Sequence, residues 1–151
     1  MHRRKLFKDT GLLLAGALLA VAPGLADHKL EQTAKDAYEK AARFNKEFDD
    51  QLDKTVIDGL SEESRLDDGA DRMKNKLEEV HDEVKQGDTK EATKELAQAM
   101  MEARAIHQAM YDHPFSPDLR ALWKDLIDDI NVLSLHYGLA PLTHRPMAEW
   151  R

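Results

Sequence analysis

The chain has 151 residues, a net charge of −7 and no cysteine. The missing thiols exclude disulfides, thiolate metal sites, covalent haem attachment, a lipid-modified N-terminal cysteine and a cysteine nucleophile. The negative balance, with no basic patch outside the first residues, disfavours binding to phosphate backbones or anionic membrane surfaces.

The chain opens with the cationic stretch MHRRKLFK, and the apolar run GLLLAGALLAVAPGLA follows. Together they predict a cleavable export signal over residues 1–26, with Asp27 as the first residue of a periplasmic or secreted protein. The run is short for a membrane span, which needs about 20 apolar residues, so the mature chain is expected not to insert. Arg3 and Arg4, followed by Lys5-Leu6-Phe7-Lys8, are similar to a twin-arginine signal with Leu and Phe exchanged, and an ordinary secretory signal is the other reading. Removing residues 1–26 takes away Arg3, Arg4, Lys5, Lys8 and Asp9, which leaves the remainder about three charges more acidic.

The first predicted helix runs from about 28 to 57. Leu30, Ala34, Ala37, Ala41, Phe44, Phe48 and Leu52 recur on one face, and Asp58-Gly59 supplies the stop. Ser61 is placed to cap a second helix with the stripe Leu66, Ala70, Met73, Leu77, Val80 and Val84, ending at Gly87. Asp88 and Glu91 have capping-box spacing before a third stripe of Ala92, Leu96, Ala99, Ala103, Ile106 and Met110. Pro114 ends that helix, and Ser116-Pro117 restarts the chain as a cap with proline at the first helical position. The fourth stripe is Leu119, Leu122, Trp123, Leu126, Ile130, Leu133 and Tyr137, with Gly138 as a left-handed terminator.

Four long helices joined by short links predict an all-α, up-down-up-down antiparallel four-helix bundle over 27–137, with a proline-containing tail over 138–151. Trp150 in that tail is expected to dock on the bundle or to stay mobile. Val132 and Leu135 point away from the fourth stripe and are the candidate surface for a protein partner.

The stretch from Phe48 to Glu79, together with Trp123, Leu126, Asp129, Asn131, Leu133, Tyr137 and Gly138, resembles a group of small secreted bacterial helical proteins of uncharacterised function. The shared features are an acidic first hairpin and a last helix of Trp-x-x-Leu-x-x-Asp-hydrophobic-Asn-x-Leu type ending in Tyr-Gly. The resemblance implies secretion and a helical fold, and it transfers no catalytic or binding residue.

Several residues carry ligand chemistry. Glu78 and His81 have the Glu-x-x-His spacing of di-iron bundles, but there is one copy where two are needed, and Glu78 lies off the apolar face. Asp125, Asp129 and His136 share one side of the fourth helix and are a candidate surface site for a divalent cation. Asp58-Gly59 and Asp67-Asp68-Gly69 lack the alternating ligands of a calcium loop. His107 lies beside the third stripe with Met100 and Met110, and His113 follows, a set suited to haem or copper(I). The third helix also has a loose likeness to the haem-ligating helix of cytochrome b562-type proteins, in Gly87, Glu91-Ala92 and His107 through Tyr111, although here another helix follows.

The competing expectation comes from pairing antiparallel helices about their loops. It sets His107 level with Trp123, Leu66 and Phe48, where the imidazole supplies an acceptor for a buried indole N–H and no cofactor is required. No nucleophilic triad, glycine-rich phosphate loop or inward pair of carboxylates is present, so the sequence reads as non-enzymatic, with a binding or structural role in the envelope.

Overall fold

A computed structural model of the chain describes residues 23–55 and 57–143. Their regular structure is entirely helical: α1 (Pro23–Leu52), α2 (Ser61–Gln86), α3 (Thr89–Asp112) and α4 (Pro117–His136). Residues 1–22 of the expected leader, and Trp150 with the end of the tail, lie outside the described residues. α1 begins at Pro23, so the last four residues of the expected leader belong to its first turn.

α2 packs along both α1 and α3, and α4 packs on α1, whereas α3 and α4 meet over a much smaller length. The diagonal pairs α1/α3 and α2/α4 make no close backbone approach among the described residues. The apolar stripes meet at the centre, and Ala34, Ala37, Ala41, Phe44, Phe48 and Leu52 of α1 are all fully buried. Alanines give α1 a slim N-terminal half, while its C-terminal half carries large aromatic rings. Phe44 stacks on Phe48 at 4.9 Å between centroids and contacts Trp123 at 4.8 Å, and Phe48 contacts Phe115 at 5.2 Å. This aromatic layer buries the largest side chains in the core, each worth a few kcal/mol against Ala, or about 3–5.

The end of α1 differs from expectation. The helix stops at Leu52, not near residue 57, where the chain turns away so that Ile57 can be buried. Thr55 turns its hydroxyl onto the Leu52 carbonyl at 2.8 Å, and Ile57 folds inward to plug the core. Ser61 does not cap α2. Leu60 occupies that position without a side-chain bond, and the Glu63 carboxylate instead accepts the N–H of Gly59.

The other helix ends follow the sequence. Gly87, at φ 75°, closes α2 with its N–H on the Val84 carbonyl, while the Asp88 N–H reaches the Glu83 carbonyl at 3.0 Å. Asp88 then accepts the Glu91 N–H at 3.0 Å to start α3, but Glu91 turns its own carboxylate to Lys94, so the capping box is only half formed. Ser116 caps α4 by accepting the Leu119 N–H at 3.2 Å. Gln51 of α1 holds that cap from across the fold: its amide donates to Ser116 Oγ at 2.7 Å and accepts the Ser116 N–H at 2.9 Å.

Gly138, at φ 70°, ends α4 and sends the Leu139 N–H back to the Ser134 carbonyl at 2.8 Å. The chain then returns along α4. Asn131 brackets Leu142, accepting its N–H at 2.7 Å and donating to its carbonyl at 3.0 Å, and the Leu142 side chain joins the core. The start of the tail is therefore anchored.

Candidate functional site

His107 sits half-buried on α3 and meets Trp123 of α4, whose ring is 1% exposed. The indole Nε1–H donates to His107 Nδ1 at 3.0 Å, with the two rings 6.2 Å apart. Indole can only donate, so Nδ1 must carry the lone pair, and a neutral imidazole then bears its hydrogen on Nε2. That tautomer matters for metal chemistry. A metal-bound imidazole ligates through one nitrogen and donates from the other, so ligation through Nε2 needs a hydrogen on Nδ1 and breaks the bond to Trp123.

Met100 and Met110 flank His107 and are buried in the hydrophobic core, 2% and 0% exposed. His113, one turn beyond the end of α3's apolar stripe, sets its ring edge-on to Phe115 and lies 3.9 Å from the Glu62 carboxylate. The structure thus joins His107 to Trp123, the pairing expected from helix register.

The second predicted set does not converge. Asp129 forms an ion pair with Lys40 of α1 at 2.5 Å, linking the two helices. Asp125 is exposed, and His136 packs edge-on against Tyr137 at 4.9 Å. At about 1.5 Å of rise per residue, Asp129 and His136 are two turns apart, further than one cation reaches with bonds of about 2.0–2.6 Å. Glu78 is exposed, and His81 lies 3.7 Å from its neighbour Asp82.

Among the described residues, the set of three ligand-type side chains whose donor atoms lie within 4.8 Å of one another is Asp53, Asp58 and Glu63. The sequence did not suggest it, because the early end of α1 folds the loop and brings these positions together. Asp53 and Asp58 are exposed, and Glu63 already accepts the Gly59 N–H. Nearby on α2, burial, and then the charges of Asp49, Asp68, Asp71 and Glu63, hold the Asp67 carboxyl above its usual range.

Between α2 and α3 the charges are paired. Arg72 grips Glu102 with two hydrogen bonds, at 2.9 and 3.1 Å. Lys76 lies 2.7 Å from the almost buried Glu95, and its hydrogen bond lowers the Glu95 pKa despite desolvation. These contacts fix the seam between the two helices.

Val132 and Leu135 project outward from α4, 50% and 65% exposed. Leu60 and Met101 are the other exposed large apolar side chains of the described residues, and they lie on the first loop and on α3. Val132 and Leu135 are three residues apart and so neighbours on the outer face of α4. No helix of the described residues is long and apolar enough to cross a membrane. No protein family, curated protein or solved structure matches the chain.

Proposed function

We propose that the chain is a non-enzymatic, exported helical protein that works as a binding or structural module in the bacterial envelope, through the outer face of α4. In this reading residues 1–26 are a leader removed on export to the periplasm or beyond, and the rest is an up-down-up-down antiparallel bundle. The two-residue link Gly87-Asp88 supports that topology, since so short a turn reverses the chain and sets α3 alongside α2.

The observation that carries the role is the pair Val132 and Leu135. Two branched apolar side chains on adjacent turns, with no core function, are kept exposed on a helix whose remaining outward positions are largely charged. A helix face of this kind suits an apolar groove on another protein. Pull-down from an envelope extract with the parent chain and with a Val132→Asp/Leu135→Asp variant tests it. The parent should retain a partner that the variant loses at unchanged helicity. Retention of the same proteins by both chains, or of none above a control bait, overturns the assignment.

A further inference from the structure

At the end of the fold where α1 begins and where α2 and α4 finish, the helices surround an open cleft of about 580 Å³. That is within the range of about 300–1,000 Å³ typical of small-molecule sites. Its apolar lining is Leu30, Val84 and Tyr137, one from each of three segments, and all three are half-buried side chains packed against the edge of the core. Apart from Gly24, every residue of the lining lies at or beyond Asp27.

The polar lining is dominated by acids. Asp27, Glu31 and Glu83 supply three carboxylates against the single ammonium of Lys85, with the imidazoles of His28 and His136 completing the rim. The C-terminal ends of α2 and α4 and the N-terminal ends of α1 and α3 all lie here, so the helix dipoles largely offset one another and the side-chain carboxylates set the sign of the field. The positive end of α3 is already answered by the Asp88 carboxylate at its cap. The Tyr137 phenol is neutral at physiological pH, with its pKa pushed further up by burial, and His136 packs edge-on against the ring. An aromatic wall beside carboxylates is the environment an organic ammonium group selects.

We infer that this cleft binds a small organic amine, with its ammonium group between Glu31 and Glu83 and its apolar body against Leu30, Val84 and Tyr137. An anion of the same shape meets three carboxylates, and a bare ammonium leaves the apolar wall uncovered, so both charge and body are required.

Titration of the full chain with phenethylamine tests this, read by calorimetry and by chemical shifts of Tyr137. Hydrocinnamate, with a similar body and opposite charge, and ethylammonium, with the charge and no ring, are the comparisons. Phenethylamine should bind saturably and at least about tenfold more tightly than either. The Glu31→Gln/Glu83→Gln variant should lose about tenfold in affinity at unchanged helicity, since both are half-buried carboxylates outside the apolar core and Gln keeps their size. Absence of saturable binding, equal affinity for hydrocinnamate, or full affinity in the double variant overturns the inference. None of these outcomes bears on Val132 and Leu135, which are outside the cleft.

Discussion

Replacing His107 by Ala takes the acceptor away from an indole N–H that is buried with the rest of the Trp123 ring. An orphaned buried donor costs about 1–3 kcal/mol. Trp123→Phe removes the donor instead. The half-buried His107 can then turn to water, but the smaller ring leaves a void beside Phe44, and large-to-small changes of this kind cost about 1–3 kcal/mol. Each single variant breaks the same bond, so the costs do not add: the double variant should be less destabilised than their sum by about 0.5–1.5 kcal/mol, the net value of one hydrogen bond. For a chain of this size about 1 kcal/mol moves the melting midpoint by roughly 3–6 °C, which makes the cycle readable by circular dichroism. A cycle that closes with no coupling, or a His107→Ala variant as stable as the parent, would refute the pairing and release the imidazole for another role.

Other positions separate core from surface. Leu77→Ala and Ile130→Ala, at fully buried sites, should each cost about 2–5 kcal/mol in urea unfolding, whereas Glu79→Ala and Asp128→Ala, at exposed sites, should change stability by no more than about 0.5. Asn131→Ala should speed hydrogen exchange at the Leu142 amide by freeing the tail while leaving the helical signal intact. Asp67→Asn should stabilise the protein at neutral pH. The folded carboxyl titrates above its usual value of 3.8, so the cost of its ionisation builds up as pH rises from 3.8 and is complete above the folded pKa, and the gain from Asn should vanish below 3.8. Protein isolated from its native envelope should be colourless and metal-poor; an intense band near the violet end of the spectrum, or one equivalent of metal, lost in His107→Ala would replace the binding-module reading with a haem or copper protein.

The sequence made the helices legible because their signals are local. Four stripes at spacings of three and four marked the buried faces, and Gly87, Ser116-Pro117 and Gly138 marked ends that the structure keeps. The errors came where a local signal met a tertiary one. Asp58-Gly59 looked like the stop for α1, but burying Ile57 as a plug required the chain to leave the helix at Leu52. Gln51 has nothing in its neighbourhood to predict a bond to Ser116, 65 positions away. Helix register does place His107 against Trp123, since neighbouring helices joined by short loops have their levels set by loop position. It could not anticipate the cleft, which depends on where three helix ends stop relative to one another.

The residues singled out along α4 and at its end each have a structural duty. Trp123 binds His107, Asp129 pairs with Lys40 of α1, and Asn131 brackets Leu142. Leu126 and Leu133 are fully buried, Tyr137 packs on the edge of the core, and Gly138 takes the left-handed turn that lets the tail fold back. Residues that close the fold carry architecture and are silent on ligand. Residues that choose a ligand or partner must then be sought among positions free of such duties. Val132 and Leu135 on the outer face of α4, and Glu31 and Glu83 at the cleft, meet that condition: each can change without loss of a core contact or cap.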